Sequence, residues 1–318
     1  MGDIMHALPA VHAIKLATSA EIDWVAHSEY VELIRCFPCV DRVIPFPRHA
    51  FVRRFSRFLQ ELRASKYDYA LDFQGLLKSA MVCMLARCNT RIGPALPREG
   101  SKLFYSRRAE RCAADTHAVA QNMAIARLLG VQPEQCGQLP KLNVPSYKFN
   151  LPAPLVAIVP GSRWPAKKWP ASKFAETAML MLEQRSIGFF LLGGPDDQAA
   201  CRVIQEALPP GLALNLAGKA SIVETASILG EMSLVIGNDT GPLHIAAMLK
   251  VPTVTIMGPT DERRTGPWGN RNTVVRAPIE CAPCLRRRCK FKHSRCMTEI
   301  QPVLVARIAL RKLDANET

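Results

Sequence analysis

The sequence contains no apolar run that approaches the roughly 20 residues needed to span a bilayer. Its first residues, Met1 to His6, include the acid Asp3 where a secretory signal would carry basic residues. The sequence therefore indicates neither a membrane-spanning helix nor a signal peptide, and we expect a cytoplasmic protein.

Evenly paired cysteines are also lacking. The chain has 11 cysteines, an odd number, in 318 residues, and most of them stand singly or in a loose pair. Secreted proteins built on disulfides are short and evenly paired. That class of protein is therefore excluded.

Acidic residues are few relative to basic ones. The chain has 41 lysines and arginines against 27 acids, which gives a formal net charge of +14. Such a balance favours contact with phosphorylated substrates, an anionic membrane or nucleic acid. A basic surface that faces only solvent is the alternative, and charge alone does not decide. The composition, 48% apolar and 21% charged, is that of a globular protein, and the length suits two domains.

Apolar runs alternate with helical patterns through the second half of the chain. Four runs end in loops rich in glycine, proline and aspartate; they lie at 155–159, 187–192, 234–237 and 253–257. The alternation predicts parallel strands joined by helices, with ligands at the carboxyl ends of the strands.

The first half alternates in the same way, and residues 143–154 hold three prolines without clear periodicity. We therefore predict an α/β protein of two doubly wound, Rossmann-like domains: an N-terminal domain over 1–148 and a C-terminal domain over 149–318. A doubly wound domain normally opens with a strand, whereas this chain opens with the loop that should follow one. We expect the first N-terminal strand to be missing.

The most specific motif is GNDTGPLH at 237–244, between a predicted strand and a predicted helix. Thr240 suits the N-cap of that helix, and the free N–H groups at the helix start would bind a diphosphate. Gly241 would let a phosphate approach, and His244 would donate a hydrogen bond to it. The acid Asp239 fits better on a ribose hydroxyl or as the cap itself. A capped helix without a ligand is the alternative.

A second loop, PGSRWPAKKWP at 160–170, follows the strand predicted at 155–159. The turn at Ser162 exposes backbone donors, and Lys167 supplies a positive charge for a phosphate. Because both loops leave the same edge of one sheet, we expect them to share a phosphate site. A lysine-rich loop exposed to solvent is the alternative.

The N-terminal half carries candidates for the reacting partner of that ligand. Asp3, at a helix start, would act as a general base on an attacking hydroxyl, or would cap the helix. Asp72, Gln74 and Lys78 would hold acceptor groups, or would be polar residues of a capped helix. Further basic residues would meet an acidic acceptor, or would form a solvated surface; these are Arg53, Arg54, Arg57, Arg98, Lys102, Arg107 and Arg108.

Four cysteines lie close together near the C-terminus, with the spacing Cys281-x2-Cys284-x4-Cys289-x6-Cys296. This spacing is close to that of small zinc loops. A structural metal site, a reducible disulfide and clustered free thiols are the alternatives, and we assign these cysteines no catalytic role.

Four motifs, in this order, resemble glycosyltransferase family 9, the heptosyltransferases of the lipopolysaccharide inner core. They are GDIMHALPAV at 2–11, DFQGLLKSA at 72–80, PGS…AKKWP at 160–170 and GNDTGPLHIAA…GPTD at 237–261. The resemblance covers nearly the whole chain. It implies the GT-B fold, two Rossmann-like domains with the active site between them.

The resemblance also implies a reaction, namely inverting transfer of heptose from ADP-L-glycero-β-D-manno-heptose to an acceptor of the Kdo–lipid A type. It implies no metal for the chemistry, peripheral contact with the inner membrane and no nucleic acid. The residues that match the family's motifs take these roles: Asp3 as general base; Ser162 and Lys167 at the donor phosphates; Asp239, Thr240, Gly241 and His244 on the nucleotide sugar; and Arg53, Arg54, Arg98 and Arg107 on the acceptor side.

Two related functions stay open as alternatives. One is a nucleotide-sugar epimerase on the same scaffold, and the other is an inactive family member. A zinc-holding module that binds nucleic acid is a third, but it would leave the four motifs unexplained. The N-terminal motifs are most similar to enzymes that add the first heptose, and the later loops to enzymes that add the second.

Overall fold

The computed structural model describes residues 1–47, 51–132, 140–146 and 149–317. The chain divides into two compact units, Met1–Asn143 and Val144–Thr318. Each unit combines parallel strands with helices.

The N-terminal unit contains two small parallel sheets. One pairs β1 (Asp23–His27) with β2 (Arg42–Phe46), and the other has the order β3 (Tyr67–Leu71), β4 (Cys88–Gly93), β5 (Arg107–Arg108). The helices of this unit are α1 (Gly2–Thr18), α2 (Val31–Arg35), α3 (Phe51–Leu62), α4 (Leu77–Leu85) and α5 (Ala118–Arg127).

A polar cluster joins the starts of three strands in this unit. The Asp23 carboxylate of β1 forms an ion pair with Arg42 of β2 and accepts a hydrogen bond from the Tyr67 hydroxyl of β3 at 2.7 Å. Burial, followed by the bond to Asp23, raises the pKa of Tyr67 to about 12. The hydroxyl therefore stays protonated and keeps donating.

α1 is apolar on most of its circumference, which is typical of a buried helix. Met5, Leu8, Val11 and Ile14 are all buried. The helix packs against α5. No described helix is both long and apolar enough to cross a membrane.

The C-terminal unit is built on one sheet of six parallel strands. In chain order these are β6 (Leu155–Val159), β7 (Gly188–Leu191), β8 (Ala213–Asn215), β9 (Leu234–Asn238), β10 (Thr253–Ile256) and β11 (Asn272–Val275), and their order in the sheet is β11-β10-β9-β6-β7-β8. The strand β6 was predicted with the same bounds that the structure shows. β5 and β11 were not predicted.

Helices surround this sheet, and their bounds are α6 (Ala171–Leu182), α7 (Gln198–Ala207), α8 (Ile222–Gly230), α9 (Gly241–Met248), α10 (Glu262–Thr265), α11 (Arg295–Thr298) and α12 (Pro302–Glu317). The central strands are buried along their length, as expected for a parallel sheet covered on both faces. The rings of Trp169 and Phe174 meet edge-to-face at 4.8 Å in the core. α12 packs against α6, β9 and β10.

Candidate functional site

The loops that follow β6 and β9, which the sequence places at the same edge of one sheet, are hydrogen-bonded to each other. Asn238, at the end of β9, donates from Nδ2 to the carbonyl oxygen of Pro160 at 2.6 Å. Its Oδ1 accepts the backbone N–H of Trp169 at 3.1 Å. The Ser162 hydroxyl donates to the carbonyl oxygen of Asp239 at 3.4 Å. One amide side chain thus fixes the two loops at one edge of the sheet.

The Asp239 carboxylate lies at the centre of this edge and is only 5% exposed. Lys167 Nζ donates to its Oδ2 at 2.6 Å, and the Thr260 hydroxyl donates to the same oxygen at 2.7 Å. His244 Nε2 lies 3.6 Å from Oδ1. Three side chains, two from loops and one from α9, therefore converge on one buried charge.

These partners keep Asp239 ionised. Burial by itself would raise the pKa of Asp239, but the hydrogen bond to His244 and the charge of Lys167 outweigh it and hold the pKa well below its usual range. The group is therefore an anion at neutral pH. It is already engaged inside the protein, so the expectation that Asp239 binds a ribose hydroxyl needs a rearrangement of this network.

α9 starts directly beside this carboxylate. Thr240 occupies the N-cap position with an extended backbone, so the alternative that Asp239 is the cap is wrong. Within the described part of the chain, the Thr240 hydroxyl makes no capping hydrogen bond. Gly241 and Pro242 form the first turn of the helix. The backbone N–H groups at this helix start lack a side-chain cap and suit an anion.

The Lys167 ammonium is held by an aromatic face as well as by Asp239. Nζ lies 4.6 Å from the centre of the Trp164 ring, and the Arg287 guanidinium lies 5.5 Å from the same ring. An ammonium has three N–H donors, and the Asp239 bond uses one of them. The side chain can therefore donate to a phosphate without leaving Asp239.

A third loop of the sheet, after β7, packs tightly against the loop after β6. A Cβ on Gly161 would come within 2.1 Å of Asp197 Oδ2, so a larger residue at this position would displace the Asp197 side chain. The same Asp197 oxygen accepts the backbone N–H of Gly194 at 3.0 Å. Asp197 therefore shapes the turn next to Ser162.

Asp3, the candidate base, is exposed in the first turn of α1. The N-cap residue of this helix is Met1, so the alternative that Asp3 caps it is wrong. A carboxylate in the first turn is favoured by the helix dipole. Asp3 is therefore accessible to a substrate hydroxyl.

The turn before α4, which carries acceptor-side candidates, is fixed by the buried carboxylate of Asp72. Asp72 accepts the backbone N–H groups of Gln74 and Gly75 at 2.8 and 3.0 Å, and the Tyr105 hydroxyl at 2.6 Å. These bonds fix the turn from which Gln74, partly exposed, and Lys78, exposed, project. The prediction that Asp72 holds an acceptor group is wrong for this structure, because its carboxylate is buried and engaged by these three donors.

The basic candidates are distributed over several elements of the N-terminal unit. Arg53 and Arg54 are exposed on α3, and Arg98 is exposed on the loop that follows β4. Arg107 of β5 lines a cavity of about 450 Å3 together with Arg108 and Arg111. The structure thus groups two arginines that the sequence singled out, Arg107 and Arg108, with Arg111, which it did not.

The four clustered cysteines line one cavity of about 230 Å3, next to Ala166 and Pro259. All four are free thiols, so the disulfide alternative is wrong for this structure. In the ranges that the structure covers, no three histidine, cysteine or acidic side chains are placed to hold a metal. Backbone N–H groups, that of Ser294 first, lower the pKa of the Cys289 thiol, while burial raises the pKa of Cys296.

The cysteine segment also supports the candidate site mechanically. Arg287 accepts the N–H of Ala166 through its carbonyl oxygen at 3.3 Å, and Leu285 donates its N–H to the carbonyl oxygen of Pro259 at 2.7 Å. These bonds connect the segment to the loops that carry Lys167 and Thr260. The segment is therefore attached to both loops through backbone hydrogen bonds.

Sequence reasoning missed Thr260 and Asp197 as members of the site. Thr260 belongs to the GPTD motif at 258–261, and Asp197 to the GGPDD loop, both of which follow strands of the same sheet. Their positions in loops that follow strands could have identified them, because the carboxyl ends of parallel strands lie at one edge of the sheet.

Residues 55–295 of the chain match the family model of glycosyltransferase family 9 (heptosyltransferase). Lipopolysaccharide heptosyltransferase 1 of Pseudomonas aeruginosa is 29% identical, over 100% of this chain and 97% of the relative.

Solved structures show the same fold. The heptosyltransferase WaaC of E. coli with ADP has a TM-score of 0.80 and 24% identity, over 98% of this chain and 96% of that chain. E. coli ADP-heptose lipopolysaccharide heptosyltransferase II has a TM-score of 0.79 and 22% identity, over 100% of this chain and 97% of that chain. The prediction of an α/β protein with the GT-B fold is confirmed.

Proposed function

This chain belongs to glycosyltransferase family 9, and from that membership we propose that it transfers heptose from ADP-L-glycero-D-manno-heptose to the lipopolysaccharide inner core. The Pseudomonas aeruginosa relative is named a lipopolysaccharide heptosyltransferase, and the solved WaaC structure is a complex with ADP. One observation in this chain carries the proposal: the Lys167–Asp239 pair lies beside the uncapped start of α9. Together they offer a cation and backbone donors to one diphosphate.

The departing ADP is the group that this arrangement suits. When the bond from the sugar to the diphosphate breaks, negative charge builds up on the phosphate oxygens. Lys167, the Ser162 hydroxyl and the N–H groups of Thr240 and Gly241 would stabilise that charge, because they are held in place before the reaction. His244 adds a donor from the same helix.

Asp239 has a positioning role in this proposal. Its carboxylate is buried, accepts hydrogen bonds from Lys167 and Thr260, and lies 3.6 Å from His244 Nε2. It therefore aims the Lys167 ammonium and lowers the cost of keeping that cation in a partly buried site.

The acceptor side of the reaction is assigned to the N-terminal unit. Asp3 would take the proton from the attacking hydroxyl of an acceptor of the Kdo–lipid A type. A single carboxylate is enough for inverting transfer, because the nucleoside diphosphate leaves without a second acid. The side chains proposed to hold the acidic acceptor are Arg53, Arg54, Gln74, Lys78, Arg98 and Arg107.

Three finer points belong to this proposal. The transfer needs no metal ion, since Lys167 and the helix start neutralise the diphosphate. The protein works in the cytoplasm, at the inner membrane where a lipid-linked acceptor lies. Its partners are the nucleotide sugar, the acceptor and the membrane, with no nucleic acid.

The donor nucleotide is tested by calorimetry on the full chain with ADP, UDP and GDP. We expect ADP to bind at least about tenfold more tightly than the other two, a difference of about 1.4 kcal/mol. A preference for UDP or GDP would exclude ADP-heptose as the donor. Failure of all three to bind would contradict the assignment of the diphosphate site.

A further inference from the structure

One face of α4 exposes a row of apolar side chains. Leu77, Met81 and Met84 are each between 39% and 45% exposed. Their spacing of four and then three residues places them on one side of the helix. Ala80 and Cys83, on the adjoining face, are buried against the unit. The helix therefore presents an apolar stripe that nothing in its own unit covers.

The loop after β4 extends this stripe. Leu96 is 59% exposed and Leu103 is 82% exposed, the largest exposed fraction among the large apolar side chains of the described residues. Hydrogen bonds tie this loop to the start of α4: Glu99 accepts the N–H of Leu77 at 3.1 Å, and the Ser101 hydroxyl donates to the Gly75 carbonyl oxygen at 3.0 Å. We call the five apolar residues of α4 and this loop the leucine–methionine patch; they are Leu77, Met81, Met84, Leu96 and Leu103.

The surroundings of the leucine–methionine patch are basic. Lys78, Arg98 and Lys102 are exposed within the same segments, against one acid, Glu99. The cavity of about 450 Å3 that contains Arg107, Arg108 and Arg111 is also lined by Ala95 and Tyr105, which neighbour the patch in sequence. An apolar centre with a cationic margin is complementary to a surface that is apolar inside and anionic outside.

We propose that the leucine–methionine patch docks this protein on an anionic lipid bilayer, with its leucines among the acyl chains and its basic margin on the headgroups. Amphipathic protein surfaces bind membranes in this way, and each lysine or arginine near an anionic leaflet adds to the binding. A second copy of this chain is a poor occupant, because it would bring the same basic margin against itself. The inference rests on the proposed function only in taking the acceptor to be membrane-linked.

The test is co-sedimentation of the full chain with vesicles that contain neither donor nor acceptor. We expect binding to vesicles of phosphatidylcholine with phosphatidylglycerol, and little binding to pure phosphatidylcholine. The double variant Leu96→Ser/Leu103→Ser should lose about tenfold or more in partitioning. The variant Lys102→Gln should lose about fivefold on anionic vesicles and less at high salt.

A matched control comes from the C-terminal unit, where Val303 of α12 is 62% exposed and does not belong to the leucine–methionine patch. Val303→Ser should bind vesicles like the unaltered chain. The proposal is overturned if the chain ignores anionic vesicles, or if Leu96→Ser/Leu103→Ser binds them undiminished. It is equally overturned if that variant changes only the oligomeric state or the binding of an acidic protein.

Transfer to a water-soluble acceptor fragment separates this proposal from the proposed function. Leu96→Ser/Leu103→Ser should retain that transfer while losing vesicle binding. Vesicle binding without any transfer would refute the heptosyltransferase function and leave the docking surface standing.

Discussion

Replacing Asp3 with asparagine is expected to lower kcat for heptosyl transfer by about 10²–10⁴-fold, the range over which a general base contributes. Asparagine keeps the size and polarity of the side chain but cannot take a proton from the acceptor hydroxyl. Because Asp3 is exposed in the first turn of α1, the change should leave the fold intact. The measurement is the steady-state rate at saturating ADP-heptose.

Two controls separate lost chemistry from lost structure. Asp68→Asn removes an exposed carboxylate from β3 of the same unit and should leave kcat unchanged. Asp3→Asn should bind ADP as tightly as the unaltered chain, since ADP is assigned to the C-terminal unit. An Asp3→Asn enzyme with full kcat would show that another group removes the proton.

The second large effect is expected at the pair of Lys167 and Asp239. Lys167→Met should weaken ADP binding by about 10–100-fold, which matches the loss of a charge-assisted hydrogen bond. Asp239→Asn should lower the free energy of unfolding by about 3–5 kcal/mol, because it leaves a cation with 16% of its side chain exposed without a counter-charge. Calorimetry and denaturant unfolding measure the two quantities.

The double variant Lys167→Met/Asp239→Asn distinguishes binding from stability. It removes both charges, so its stability should recover towards that of the unaltered chain, while its affinity for ADP stays low. Lys168→Ala, at the adjacent lysine, should change neither quantity much. Equal losses of ADP affinity in Lys167→Met and Lys168→Ala would indicate that the loop attracts ADP only by its overall positive charge, without a specific role for Lys167.

The same pair predicts a pH dependence of stability. The pKa of Asp239 is held well below its usual range in the folded chain. Its ionised form therefore stabilises the fold fully above the unfolded-state pKa of about 3.9, and that contribution is lost as the pH falls towards the folded pKa. In a plot of the free energy of unfolding against pH, Asp239→Asn should make the acid limb less steep. An unchanged acid limb would show that Asp239 is not a source of the acid sensitivity.

The fold of the C-terminal unit was largely predictable, because its strands are short apolar runs that need no alternation when both faces are buried. β6 has the predicted bounds, and β9 and β10 differ from prediction by one residue at the C-terminal end. β11 was missed because only two of its four residues, Val274 and Val275, are apolar. β5 consists of two arginines and carries no strand signal at all.

The sequence predicted which loops form the candidate site, but not which side chains bond to each other within it. The sequence places Ser162, Lys167 and Asp239 after strands of one sheet, and the structure brings them together. The sequence could not show that Thr260 and Lys167 donate hydrogen bonds to the Asp239 carboxylate, because such contacts depend on how neighbouring loops pack. The interpretation of Asp239 as a cap failed for the same reason, since Thr240 takes that position.

Heptosyl transfer itself is measured by incubating the chain with ADP-L-glycero-D-manno-heptose, with and without a Kdo–lipid A type acceptor. Mass spectrometry then follows the acceptor and the nucleotide. The account predicts an acceptor heavier by one heptose, with release of ADP that depends on the acceptor and persists in the presence of a chelator. A changed sugar without acceptor would indicate an epimerase, and bound ADP-heptose that is never transferred would indicate an inactive family member; either result would contradict the account.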